Sequence, residues 1–250
     1  MAQVEKYRAP ALQKGLEILE LLAPRARPMS TAEISAALGR SVSEIFRMLQ
    51  VLEVHGYIGR SGEGFRITNR LFALGMAQPP IRDLLDHARP AMHALAEQVQ
   101  QSCHLAMRSG DEMVVVANVE APGLLGFAVR MGYRRPLVLS ASGRILLACQ
   151  PATDPQEAEW SAEAERRGLK PAELVDALRS VRAAGHVAMP SPMLTAITDL
   201  SAPVMQAGSA VAALTVPFVH GPATSLGLDA TRDAVLRTTA AISDALRSAG

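Results

Sequence analysis

Residues Ser30 to Thr68 read STAEISAALGRSVSEIFRMLQVLEVHGYIGRSGEGFRIT, and the reading of their caps and apolar spacings decides the fold. Ser30 and Glu33 form an S-x-x-E capping box, in which each side chain satisfies an orphan backbone N–H at a helix start. A helix is predicted from Thr31, burying Ile34 and Leu38 and stopping at Gly39, which tolerates the positive φ of a sharp exit. Ser41 with Glu44 repeats the box and opens a second helix. Ile45, Met48, Leu49 and Leu52 fall at the spacing of one buried face, whereas Ser43, Glu44, Arg47 and Gln50 lie opposite and Phe46 sits at the border. Two capped helices with so brief a turn form a helix-turn-helix, which brings the second helix to the DNA major groove. Tyr57 to Arg60 and Phe65 to Thr68 read as strands joined by Ser61-Gly62-Glu63-Gly64, a wing.

Upstream, ALQKGLEILELLA lies between Pro10 and Pro24 and predicts a helix with Leu12, Leu16, Leu19 and Leu22 on the packed face. Pro24 and Pro28 bracket a basic loop, Arg25-Ala26-Arg27, which either touches phosphate or is merely solvated. Downstream, Leu71 to Ala77 reads as an apolar connection and Pro79-Pro80 as a boundary. Leu84, Leu85, Ala88, Met92, Leu95 and Val99 keep helical period across Pro90, so a linker helix is expected to end near Arg89 and another to start at Pro90. The expected domains are therefore 1–78, a linker at 79–100, and 101–250.

The last segment alternates strands and helices. Cys103 to Arg108 and Met113 to Val119 flank the turn Ser109-Gly110-Asp111-Glu112. Leu124 to Arg130 and Pro136 to Ser140 read as strands, followed by helices from about Ser142, over Thr153 to Arg167 and over Ala172 to Ala184. His186 to Met189, Leu200 to Met205 and Ser209 to Val219 return to sheet. Val235, Thr239, Ile242 and Leu246 mark a final helix. The expected fold is α+β with a mainly antiparallel sheet.

A chain of 250 residues, 49% hydrophobic and 20% charged, is globular and long enough for two domains. Its net charge of +1 is asymmetric: residues 1–78 hold 10 Lys and Arg against 7 Asp and Glu, the remainder 15 against 17. A mildly basic front is compatible with phosphate contact. Only Cys103 and Cys149 occur, which suits a reducing cytoplasm. No signal core or membrane-length apolar run is found, so a soluble cytoplasmic protein with no membrane partner is expected.

An enzyme is disfavoured, because no G-x-S-x-G, P-loop or H-E-x-x-H pattern occurs. Cys103 and His104, adjacent on a strand, point to opposite faces and cannot pair as thiolate and base. No His and Cys spacing suits a metal, so neither metal nor cofactor is expected. A small-molecule sensor or interaction module that never touches DNA is the rival reading.

Over nearly its whole length the chain resembles the bacterial IclR-type transcriptional regulators, in LQKGLEILELL, TAEISAALGRSVSEIFRMLQVLEVHGYI, GFRITNRLFALG, RMGYRRPLVLSASGRILLA and SAPVMQAGSAVAALTV, in that order. The resemblance implies an N-terminal winged helix-turn-helix, a C-terminal effector domain of GAF-like fold, double-stranded operator DNA and a small-molecule effector as partners, and a homodimer or dimer of dimers. On the groove-facing surface Arg47 can hydrogen-bond guanine or clamp phosphate, Gln50 can read adenine, and Glu44 either accepts from cytosine or serves only Ser41. Family members usually carry Thr or another small residue at the position of Glu44. Ser30, Thr31, Ser41, Ser43 and Phe46 complete the expected contact surface, and Arg60 and Arg66 on the wing suit backbone phosphate.

The resemblance also places effector contacts at Ala141 and Ser142, at Met189 where the family's usual acidic residue is replaced, at Asp199 where the family has Cys, and at Thr215 in the strand that is Ser-x-Ser in relatives. A carboxylate at Asp199 repels an organic acid, which argues against a small dicarboxylate and for an amine, a polyol, an aromatic or a larger ligand reached by Arg130, Arg134 or Arg135. The alternative is that Asp199 caps a neighbouring N–H and never meets ligand.

Overall fold

The computed structural model describes residues 9–123, 126–151, 156–221 and 226–248, and the chain divides into two units, Met1–Ile81 and Arg82–Gly250. In the first unit α1 (Pro10–Leu22), α2 (Thr31–Leu38) and α3 (Val42–Val54) precede the hairpin of β1 (Ile58–Ser61) and β2 (Gly64–Ile67), and α4 (Arg70–Met76) follows. Both capping boxes form: Glu33 N donates to Ser30 Oγ, Glu44 N donates to Ser41 Oγ, and each glutamate accepts from the cap backbone in return. Gly39 closes α2 at φ 61°. Ile18, Leu22, Met29, Ile34, Ile45, Leu49, Ile58 and Phe65 form the core.

Two expectations fail in this unit. The buried face of α1 is Gly15, Ile18 and Leu22, and Leu12 and Leu16 are 63% and 50% exposed. Residues 70–76 form helix α4 rather than a plain connection, with no buried residue. The wing is anchored at its root, where Met29 and Phe65 exchange backbone hydrogen bonds of 2.9 and 2.8 Å. A Cβ at Gly64 would meet Pro28 Cβ at 2.9 Å and the Met29 carbonyl at 3.0 Å, so only glycine fits there.

Helix α5 runs unbroken from Pro79 to Val99 through Pro90, where two helices were expected. Its apolar face, Leu84 to Val99, continues past the proline, and Pro90 is exposed. The Asp86 carbonyl that loses its donor can turn to water, which removes the main reason for a break.

In the second unit, six strands order as β5-β4-β3-β8-β7-β6: β3 (Cys103–Ser109), β4 (Glu112–Val119), β5 (Arg134–Pro136), β6 (Val187–Pro190), β7 (Ile197–Gln206) and β8 (Ser209–Val219), all antiparallel. Alternation sends His104, Ala106, Met113, Val115, Asp199, Ser201, Ala213 and Thr215 to one face. There Ala106, Met113, Val115 and Ala213 pack with α6 (Ala141–Ala148), α7 (Gln156–Arg166) and α8 (Pro171–Ala184). Cys103 faces the other way, its Sγ 3.5 Å from the Met92 carbonyl of α5, and α9 (Leu228–Ser248) covers β7, with Ser243 Oγ accepting from Met205 N at 2.8 Å.

The predicted strand at Leu124 to Arg130 is absent over 126–130, and Leu124 itself lies outside the described residues. The strand predicted at Pro136 to Ser140 is instead β5 followed by a single 3-10 turn, Leu137–Leu139. Of the helix predicted over Thr153 to Arg167, residues 153–155 lie outside the described residues. Among those described, no helix is long and apolar enough to cross a membrane.

Candidate functional site

Ile45 and Leu49 pull one face of α3 into the core and leave the opposite stripe in solvent. Ser41, Ser43, Glu44, Phe46, Arg47 and Gln50 are all exposed. Among the described residues the side chains of Arg47, Gln50 and Arg66 make no hydrogen bond or ion pair within the chain, so their donors are free for a partner. Glu44 is different: its Oε2 accepts from Ser41 N and Oγ at 3.1 and 3.0 Å, and its Oε1 from Lys14 Nζ at 2.9 Å. Lys14, then the Ser41 donors, holds this carboxyl at a pKa of about 2. Three donors thus occupy the carboxylate, Oε2 serving the cap and Oε1 the Lys14 ammonium, which favours the capping alternative. Ser30 and Thr31 are half-buried at the start of α2, where Ser30 is occupied by its own box.

Helix α1 braces this surface from behind. Besides Lys14, Glu17 accepts from Arg40 at 2.8 and 3.1 Å, tying α1 to the turn between α2 and α3. In the basic loop, Arg27 pairs with Glu33 at 2.8 Å, while Arg25 is exposed. On the wing, Arg60 opposes Phe65 and Arg66 opposes Gly59, so the two arginines occupy opposite faces of the ribbon. Arg60 lies over the Phe65 ring at 5.1 Å and donates to Glu53 at 3.0 Å. Elsewhere on this unit Leu12, Leu16, Val51, Leu71, Phe72 and Leu74 are exposed, and all but Phe72 line one apolar groove. Single exposed apolar side chains are ordinary; a contiguous set marks an interaction surface.

The second unit contains a cavity of about 280 Å³, near the lower end for small-molecule sites. Of the expected contacts, Ala141, Ser142, Asp199 and Thr215 line it together. Met189 does not: it opposes Asp199 in the β6–β7 register and packs into the core beneath α6 and α8. Arg130 and Arg135 line the cavity, whereas Arg134 turns outward to Glu112 at 2.9 Å. The sequence reading missed His104, Tyr133, Ser191 and Met193, and also the walls at 127–129, which carry no regular structure.

Two electrostatic features stand in this cavity. Buried hydroxyls run from Ser142 Oγ to Thr215 Oγ1 at 2.9 Å and on to Ser201 Oγ at 2.8 Å. Thr215 donates to Ser201, so its single hydrogen is used and Ser142 must donate to Thr215. Ser142 then offers only lone pairs to His104 Nε2, 3.5 Å away, which assigns the proton of the neutral ring to Nε2. Burial pushes His104 down to a pKa of about 4, and its Nδ1 is the one buried side-chain polar atom without a partner among the described residues.

The second feature is Asp199. Burial raises its pKa to about 6, against the lowering effects of a Ser191 hydrogen bond and of the Arg135 charge. Arg135 donates to the Leu139 carbonyl at 3.0 Å and toward Tyr133 Oη at 3.4 Å. No ion pair within 4.0 Å joins it to Asp199.

Helix α6 completes the cavity wall. Its cap Ser140 accepts from Gly143 N at 3.1 Å, leaving the Ala141 and Ser142 N–H groups without an acceptor among the described residues. Such a helix start favours an anion or a carbonyl oxygen. Cys103, on the other sheet face with its thiol pushed up to about 12 by burial, takes no part. Among the described residues no cluster of His, Cys, Asp and Glu could hold a metal.

Residues 81–244 match the family model described as bacterial transcriptional regulator IclR C-terminal, and residues 11–62 match the IclR helix-turn-helix domain. The HTH-type transcriptional repressor AllR of Salmonella paratyphi A is 28% identical over 230 residues, 88% of this chain and 83% of that protein. The Pca regulon regulatory protein of Pseudomonas putida is 25% identical over 225 residues, 88% and 77% of the two chains. Pseudomonas aeruginosa HmgR superposes with a TM-score of 0.72 at 27% identity, covering 93% of this chain and 97% of that one. An IclR homolog from Microbacterium hydrocarbonoxydans, crystallised with 4-hydroxybenzoate, gives 0.79 at 21% identity over 95% and 99%, a likeness of fold.

Proposed function

Because the chain belongs to the IclR family of ligand-responsive transcriptional regulators, we propose that it binds operator DNA through the exposed stripe of α3, with Arg47 and Gln50 at base edges and Ser41, Ser43, Arg60 and Arg66 on the phosphates. The observation that carries this is the unengaged Arg47 and Gln50 on a helix fixed from behind by its cap, Ile45 and Leu49. Glu44 holds the helix start rather than reading a base. Arg60 and Arg66, on opposite faces of the wing, suit phosphates on either side of a groove entered edge-on. Acting on DNA places the protein in the cytoplasm.

A helix-turn-helix regulator reads two half-sites with two copies, and the exposed apolar surface of α1 and α4 is the place in this unit where a second copy would bury apolar area. We therefore propose a homodimer. The effector occupies the cavity at Ala141, Ser142, Asp199 and Thr215, and acts by differential affinity for DNA-competent and incompetent arrangements.

Sequences selected from a random duplex pool test the DNA reading. The expected result is a pseudo-palindrome whose half-sites lie about one helical turn or a multiple apart, bound with log K falling linearly in log salt by about 0.9 per phosphate neutralised. No saturable, salt-sensitive binding to any duplex would overturn it.

A further inference from the structure

The cavity in the second unit is lined by one carboxylate, Asp199, and two guanidiniums, Arg130 and Arg135, and the charges of opposite sign do not meet. Asp199 and Arg135 both line it and sense each other electrostatically, yet no ion pair joins them. Separated charges facing one largely apolar space lack the compensation that burial ordinarily demands. The polar groups also fall into two kinds. His104 Nδ1 is a buried acceptor with no donor among the described residues, and the Asp199 carboxylate, with a hydrogen bond from Ser191 but no cation against it, keeps acceptor capacity to spare. Arg135 and the Ala141 and Ser142 N–H groups are donors with capacity to spare.

Between these polar groups the walls are Met113, Phe127, Ala128, Val129, Pro192 and Met193. A ligand with one charge satisfies one kind of group and buries the other unpaired. A ligand with a donor-bearing cation and a carboxylate joined through an apolar body satisfies both. We propose that the effector is a zwitterion of the aminocarboxylate class, its ammonium on Asp199 and its carboxylate on the start of α6 and Arg135, and that Asp199 determines this specificity. The inference rests on the effector reading of the cavity and names its ligand class. It also converts the sequence-level argument against acids: Asp199 rejects a bare carboxylate but accepts one that brings its own cation.

Three probes with one carbon skeleton test it by isothermal calorimetry on the full chain: leucine, with both charges, 4-methylpentanoate, with only the acid, and 3-methylbutylamine, with only the amine. Leucine is expected to bind at least about tenfold tighter than either partner, the worth of one charge-assisted hydrogen bond. In Asp199→Asn, leucine's advantage over 4-methylpentanoate should fall below about threefold, with a wild-type circular dichroism spectrum and melting curve at about pH 7 or above reporting an intact fold. Arg135→Gln, which leaves Asp199 in place, should narrow the gap between leucine and the amine instead.

An acid binding wild type as tightly as leucine would overturn the inference, and so would binding by none of the three. The regulator reading is tested on DNA without any ligand. An unrelated compound that fills the cavity and shifts DNA affinity would leave that reading standing while sinking the zwitterion.

Discussion

Arg47→Ala separates base reading from general attraction to DNA. The Arg47 side chain is exposed and has no partner within the chain, so truncation leaves no buried group unsatisfied and should change folding stability by less than about 0.5 kcal/mol. Ala is at least as good a helix former as Arg, so α3 itself is not weakened. At the operator, a bidentate Arg–guanine contact is worth about 1–3 kcal/mol of discrimination, or roughly 5- to 150-fold. A contact to phosphate alone lowers binding to all sequences alike and reduces the salt slope by about 1. Fluorescence anisotropy of the selected operator and of a scrambled duplex, over a salt series, yields both quantities. The expected outcome is a loss of about tenfold or more on the operator, little change on the scrambled duplex, and an unaltered melting curve. Equal losses on the two duplexes would make Arg47 a phosphate clamp; unchanged operator affinity would remove it from the interface.

Three further substitutions have defined outcomes. Glu44→Gln keeps the capping partner of Ser41 but removes a negative charge from the DNA side, so operator affinity in the same titration should hold or rise slightly; a loss of about tenfold would mean that the carboxylate reads a base after all. A Cβ at Gly143 would lie 2.1 Å from the Leu137 carbonyl oxygen and 2.4 Å from its Cα, backbone that cannot swing aside, so Gly143→Ala should cost the second unit at least about 3 kcal/mol in urea unfolding, and a cost under about 1 would contradict the packing of α6. Leu12→Glu with Phe72→Glu should give a monomer by sedimentation, with operator binding weakened by about tenfold or more and no loss of secondary structure; a persisting dimer would acquit that surface.

Asp199 and His104 push pH dependence in opposite senses. The raised pKa of Asp199, about 6 from 3.8, gives stability that is present below pH 3.8 and lost as pH rises through 6, about 2 kcal/mol after allowing for its partial exposure. The lowered pKa of His104, about 4 from 6.5, gives stability present above pH 6.5 and lost as pH falls through 4, about 3 kcal/mol. Wild type should therefore be nearly flat between pH 4 and 6.5, and Asp199→Asn should become markedly less stable toward pH 4 in urea titrations. A variant as flat as wild type would refute the assignment.

How much of this was legible in the sequence depended on how local each signal was. The helix-turn-helix could be read because the capping boxes at Ser30 and Ser41 and the Gly39 exit act within a single turn of chain. The face of α1 was misread because Leu12 and Leu16 continue the apolar spacing without packing into their own unit. Pro90 suggested a break because sequence does not report which side of a helix meets water. In the second unit the alternation that set His104 against Cys103 was visible, yet only the register of β3 with β8 brings His104 alongside Thr215. Met189 was one position in a strand whose partner, Asp199, alone reached the cavity, a distinction set by packing under α6. The walls at 127–129 carry no periodic signal.

The contact of Gly64 with Pro28 and Met29 has a consequence for how such a reader can diversify. With its hinge closed to every side chain, the hairpin cannot be re-aimed by substitution at the joint, and it travels as one rigid piece with the start of α2. At the tip Ser61 and Glu63 can then vary without disturbing aim, whereas Gly62, at φ 59°, makes the turn in a conformation that side chains rarely adopt and is the one tip position held to glycine.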